Sequence, residues 1–278
     1  MWPPNWNLRL GIIGLALMPL ALTVLAFIEL ALVPPDQIVA GTPLVLTQTA
    51  PGQRTPTADP GHLYVAGLQA LDAGALDSAE QLVRAALDKS PDQANWRNTL
   101  GLILAKQGRH AEAAVEFETA LDTDPQLTEA LYNLGAAYDA MRDTNRALTA
   151  YQAAVRADPT FAPAYVGLGN VLQDQGKSDE ALAAYRKAVE LDPDLATARL
   201  NLGVAYANLG DWSNAVAHLE QAVSLRPDHA PSRYSLGVAY IGLGRTEAAV
   251  EQLREVIALD PGGTWGTQAA KQLDQLPH

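Results

Sequence analysis

Cysteine is absent from the chain, which removes disulfides, thiolate nucleophiles, cysteine-type zinc sites and cysteine lipidation together. The same absence suits every redox compartment and assigns none. Basic residues are scarce as well: 19 Lys and Arg stand against 31 Asp and Glu, a net charge of −12 with a pI near 4.7. Nucleic-acid binding needs the opposite balance and is excluded as a general function. Only 3 Phe occur, and the β-branched and aromatic runs that sheets favour are few beside the abundant Ala and Leu. The composition predicts an all-α fold.

Patterns that carry catalysis are also missing. The histidines, His62, His110, His218, His229 and His278, show no pairing at metal-ligand spacing, and neither HExxH nor an acidic calcium loop occurs. No serine lies in a nucleophile-elbow context, and no glycines bunch into a phosphate-cradling loop. The expectation is a non-enzyme with no catalytic residue, metal or cofactor. The Asp-Pro pairs at Asp124, Asp158, Asp192 and Asp260 resemble a row of carboxylates, yet each stands at a helix end where a turn accounts for it.

What is present begins with one long apolar run. Leu10 to Ile28 contains 19 residues without a charge, and as a helix it would span about 28 Å, close to the hydrocarbon thickness of a bilayer. The run continues past Glu29 to Val33, where Pro34 and Pro35 stop it. Residues 10–33 are expected to form a transmembrane helix acting as a signal anchor. Arg9 precedes the run and the next basic residue is Arg54, so the positive-inside rule puts residues 1–9 in the cytoplasm and the remainder outside it. The rival reading is a secreted protein whose residues 1–40 are a cleaved signal peptide, although signal cores are usually shorter. Residues 34–59, with five prolines and repeated Thr, read as a semi-stiff linker.

From Pro60 the chain repeats every 34 residues: 60–93, 94–127, 128–161, 162–195, 196–229 and 230–263. The eighth place is always glycine (Gly67, Gly101, Gly135, Gly169, Gly203, Gly237) and the twentieth always alanine (Ala79, Ala113, Ala147, Ala181, Ala215, Ala249). The thirty-second is always proline, from Pro91 to Pro261. Places 4, 7 and 11, such as Leu131, Leu134 and Tyr138, line one face of a first helix. Glycine at the fifteenth place ends that helix in five repeats, with Arg142 the exception. A second apolar stripe, such as Ala181, Tyr185, Ala188 and Val189, marks a second helix before the X-Pro step.

The columns L-G-x-x-Y, A-x-x-x-Y/F/L-x-x-A and D-P resemble tetratricopeptide repeats, over about three quarters of the chain. The resemblance implies a right-handed α-solenoid of six helical hairpins, with residues 264–278 as a capping helix and tail that covers the last apolar face. Trp96 falls one place ahead of the family's aromatic position, which Arg97, Arg199 and Arg233 occupy; their stems are expected to pack and their charges to reach solvent.

The resemblance further implies that the first helices line a concave groove for protein or peptide partners. On this sequence the groove candidates are Tyr64, Asn98, Tyr132, Asn133, Asn170, Leu200, Asn201 and Tyr234. Lys106 is the one basic residue at groove places, which disfavours a clamp for a terminal carboxylate. Asn133 and Asn201 leave at best a broken ladder for a peptide backbone. Residues 60–278 hold 17 basic and 28 acidic side chains, a net of −11, so a basic partner fits best. The functional expectation is a membrane-anchored scaffold or adaptor that assembles a complex. The alternative is an integral structural subunit held mainly by its transmembrane helix.

Overall fold

The computed structural model describes residues 59–276, and among them thirteen helices and no strand occur. Six antiparallel pairs follow one another: α1 (Pro60–Asp72) with α2 (Leu76–Leu87), α3 (Ala94–Lys106) with α4 (His110–Thr123), and α5 (Thr128–Ala140) with α6 (Thr144–Ala157). Then come α7 (Ala162–Asp174) with α8 (Ser178–Leu191), α9 (Ala196–Asn208) with α10 (Trp212–Leu225), and α11 (Ala230–Gly242) with α12 (Thr246–Leu259). A last helix, α13 (Thr264–Asp274), closes the stack. The expected span at residues 10–33 and the linker up to residue 58 lie outside the described residues. No described helix is long and apolar enough to cross a membrane.

The turns explain the hairpins. Gly74, Gly108, Gly176, Gly210 and Gly244 adopt φ between 71° and 79°, the left-handed region that glycine enters without steric cost. The residue after each turns its N–H back five places, as in Ala75 to Ala70 (2.8 Å) and Lys177 to Leu172 (2.9 Å), which satisfies the last carbonyls of the first helix. Arg142 takes the same conformation at φ 62°, the one described residue other than glycine with positive φ. Asp143 and Asp211 then cap α6 and α10 by accepting the N–H of Arg146 and Asn214, each at 3.2 Å. The Asp-Pro carboxylates behave as turn residues too. Asp124, Asp158 and Asp192 each accept an N–H two residues on, at 2.8–3.1 Å.

Packing within a pair rests on three columns. The six alanines at the twentieth place have no exposed surface. Each eighth-place glycine lies against the twenty-fourth residue of its own repeat: Val83, Phe117, Tyr151, Tyr185, Leu219 and Leu253. A Cβ on Gly169 would stand 2.4 Å from the Tyr185 ring, so the glycine is what lets the two helices approach.

Between pairs, hydrogen bonds recur in register. Arg97, Arg199 and Arg233 donate through Nε to the carbonyls of Pro91, Pro193 and Pro227, at 3.1, 2.5 and 2.5 Å. Tyr165, at the same fourth place, donates its hydroxyl to Pro159 O at 3.1 Å. The arginine charges therefore do not simply extend to solvent as expected. The proline at place 32 fixes a carbonyl that has no helical partner, and a long donor at place 4 satisfies it.

Candidate functional site

The first helices form one continuous layer. α3 touches α5, α5 touches α7, α7 touches α9, α9 touches α11 and α11 touches α13, whereas consecutive second helices make no comparable contact. A stack whose two layers are unequally spaced bends toward the closer layer. The first helices are thus the inner, concave side, and the candidate residues on them share one face.

Many of those candidates are already engaged inside the array. Asn133 is buried, and its amide donates to Asn98 Oδ1 at 3.0 Å across the repeat boundary. Asn201 donates to Asn170 Oδ1 at 2.9 Å, and the same oxygen accepts the Tyr185 hydroxyl at 2.9 Å. The Tyr64 hydroxyl bonds Thr99 Oγ1 at 2.9 Å while its ring stacks on Trp96, with centroids 4.9 Å apart. Leu200 is buried in the core shared by the fourth to sixth repeats. Tyr234 is buried too, and its ring meets Trp265 of α13 at 5.4 Å. The two Asn–Asn bonds join neighbouring repeats and leave less amide for a ligand than the sequence positions alone suggest.

Tyr132 lies in an aromatic cluster. Its ring contacts Tyr151 at 5.7 Å and Phe161 at 5.6 Å, burial pushes its phenol up to about 12, and its hydroxyl has no hydrogen-bond partner among the described residues. Tyr151, behind it, is 4% exposed and sits between two glycines of adjacent first helices. Its ring carbons lie 2.8 Å from where a Cβ of Gly135 would be and 2.4 Å from that of Gly167. In the sequence Tyr151 belongs to a packing column, and nothing there singles it out as a groove residue. The one signal is that, of six residues in that column, only Tyr151 and Tyr185 carry a hydroxyl.

Charge on this face is mostly negative. Asp72, Glu129, Asp139 and Asp174 occupy concave places, with Lys106 opposing them. Asp139 titrates above its ordinary value, first because burial disfavours the ionised form and then because Asp174 adds a like charge; Arg142 opposes both. No group of three or more His, Asp or Glu side chains able to hold a metal ion occurs among the described residues.

Four tetratricopeptide-repeat models match the chain, at residues 64–128, 104–171, 169–210 and 194–261, and between them cover it from 64 to 261. The chain belongs to the tetratricopeptide repeat family. Superkiller complex protein 3 of Mus musculus is 31% identical over 87 residues, which is 31% of this chain and 6% of that protein, so the chain spans a small part of that relative's length. A thermophilic TPR protein of Thermus thermophilus is 28% identical with a TM-score of 0.55, covering 65% of this chain and 98% of its own. YrrB, described as a TPR protein with an unusual peptide-binding site, is 25% identical with a TM-score of 0.52, covering 68% and 97%. The APC/C hetero-tetramer Cut9–Hcn1 reaches a TM-score of 0.72 over 80% of this chain and 43% of that one. Its 18% identity makes that likeness one of fold alone.

Proposed function

We propose that this protein is a non-catalytic scaffold, anchored in a membrane by residues 10–33, that binds protein segments on the concave face of its repeat array. The observation that carries this reading is the unbroken inner layer of first helices, presenting four carboxylates against one lysine over six repeats. Such a surface offers apolar side-chain contacts and a one-signed field, which suit a basic partner chain. The peptide-binding site ascribed to YrrB supports a similar use here. The uncharged run from Leu10 to Ile28 and the placement of Arg9 support an anchor with the array on the extracytoplasmic side.

Ala140 and Asn208 are exposed at the C-terminal ends of α5 and α9, so Ala140→Trp with Asn208→Trp obstructs the face without entering the core. Affinity capture with the full chain should recover a set of partners that this variant loses. Recovery of the same partners at equal strength would sink the groove assignment. Protease added to intact cells should digest the array, and digestion only from the cytoplasmic side would overturn the orientation.

A second reading makes the protein a fixed subunit held by its transmembrane helix, with the array as a cover. The inter-repeat asparagine bonds favour it, because they stiffen the array and occupy groove amides. Removal of residues 1–33 separates the two: a groove-driven scaffold keeps its partners, and a helix-held subunit loses them.

A further inference from the structure

Every repeat but the first lays its first helix against the second helix of the repeat before it. The pairs α2 with α3, α4 with α5, α6 with α7, α8 with α9 and α10 with α11 all touch, and no helix precedes α1 among the described residues. Burial follows the contact. Places 7 and 11 hold Leu100 and Leu104 in the second repeat and Leu202 and Tyr206 in the fifth, all buried, whereas Ala66 and Ala70 at the same places of α1 keep part of their surface exposed. The far end of the array has α13 to cover its last pair. Among the described residues the near end has no counterpart.

The third repeat shows the shape of the open surface. There Leu131, Leu134 and Tyr138 of α5 and Ala150 and Ala153 of α6 line a cleft of about 410 Å³. By the repeat register the same places in the first repeat hold Leu63, Ala66, Ala70, Leu82 and Ala85, all aliphatic and all part-exposed. The neighbouring rim places, Asp77, Ser78 and Gln81, are polar and exposed. In the second, fifth and sixth repeats an arginine at place 4 crosses this surface to Glu116, Gln221 or Gln252. In the first repeat Leu63 stands there instead, and no charge lies on the floor.

We infer that residues 43–46 of this chain dock on that face, with Leu44 and Leu46 seated between α1 and α2. The chain outside the described residues ends at residue 58, directly before Asp59, which caps α1 by accepting the His62 N–H at 3.3 Å. It therefore enters the array at the repeat whose outer surface is open. Twelve residues separate Leu46 from Asp59, a reach of about 40 Å when extended, against about 20 Å for the length of α1. The tether is long enough. From Gln37 to Gln53 the chain carries no charge, so the acidic array does not repel it. Leu44 and Leu46 stand two places apart, and an extended backbone presents both to one side. Ala66 and Ala70 leave room for them, where the other repeats fill places 7 and 11 with Leu or Tyr. Burial of the two leucines drives the contact, and the tether's effective concentration lets a weak contact persist. Docking here requires neither the membrane anchor nor the groove.

Hydrogen exchange on the full chain tests the face. Leu44→Asp with Leu46→Asp should speed exchange of α1 amides about tenfold and leave those of α5 and α6 unchanged, since stability in such arrays is local. Ile38→Asp with Val39→Asp adds the same charge and should change α1 by less than about twofold. Equal acceleration by both variants would overturn the docking, and so would none by either, which leaves the face to another protein. Because the chain has no cysteine, Leu46→Cys with Ala70→Cys allows a single bridge. Mild oxidation should close it within one chain about tenfold faster than Ile38→Cys with Ala70→Cys, since loop closure alone depends weakly on length. Equal rates would report the tether only and overturn the seat. A bridge formed only between two chains, or α1 protection that rises between about 1 and 100 µM protein, would give the face to a second copy and overturn the docking as well.

Discussion

Gly169 and Gly237 occupy the same column, yet a methyl group would meet different resistance at each. At Gly169 the new Cβ falls 2.4 Å from a Tyr185 ring that is itself buried, while at Gly237 it falls 3.0 Å from the more compliant Leu253 side chain. Alanine gains about 1 kcal/mol of helix propensity over glycine, and overpacking costs about 1–3 kcal/mol. Gly169→Ala should therefore lower stability in urea by about 1–2 kcal/mol and Gly237→Ala should be near neutral; the reverse order would refute the packing account. Arg142→Gly should act in the opposite direction. It relieves a left-handed conformation costing an L-residue about 1 kcal/mol, and a rise in Tm is the expected reading. Asp139→Asn is the third residue-scale test. Because the folded carboxyl titrates above its ordinary 3.8, the folded array binds more protons than the unfolded chain in that window, and stability falls as pH rises through the folded value. The substitution should thus stabilise by up to about 1 kcal/mol at neutral pH after solvent screening, and the gain should vanish near about pH 3. The column residues behind the first two predictions were legible because recurrence exposes them. The Asn133–Asn98 and Asn201–Asn170 bonds were not, because they join places six and five in one case and six and nine in the other, so no single column encodes them.

At the scale of elements, the helix ends were the most legible part of the fold. A glycine four residues after the core stripe and a proline before the next repeat are local steric facts, and the helices end accordingly. The place-4 donor was concealed because Arg and Tyr make the same bond to a proline carbonyl, and a hydropathy pattern does not equate them. The capping helix illustrates how one element serves another. Asp260 accepts the N–H groups of Trp265 and Gly266 at 2.8 and 3.2 Å, which starts α13, and Trp265, Leu273 and Leu276 then pack over Tyr234, Leu253 and Val256. Without α13 the last pair would expose that apolar face, since stacked repeats stabilise one another chiefly through nearest neighbours. Trp265→Ala should cost about 2 kcal/mol, below the range for a fully buried tryptophan because the ring is half-buried. Hydrogen exchange locates the loss: amides of α11 and α12 should open first while those of α5 and α6 keep their protection. Uniform loss along the array would mean that the repeats unfold as one unit and that α13 is not a local cap.

For the molecule as a whole, the question is what a net charge of −11 over residues 60–278 contributes beyond solubility. Long-range charge mainly sets how often partners meet, and short-range contacts set how long they stay. The inner face adds a local bias in the same direction, since its four carboxylates oppose one lysine. A basic segment is drawn by this field toward the concave side. For a blocked, fluorescent peptide of about eight residues alternating Leu and Lys, raising ionic strength from about 0.05 M to about 0.5 M shortens the screening length from about 14 Å to about 4 Å. The association rate should fall by about tenfold over that range while the dissociation rate changes by less than about threefold. Stopped-flow anisotropy measures both. A salt-independent association rate would assign the charge to solubility alone, and a salt effect confined to dissociation would move the whole electrostatic contribution into short-range contacts on the inner face.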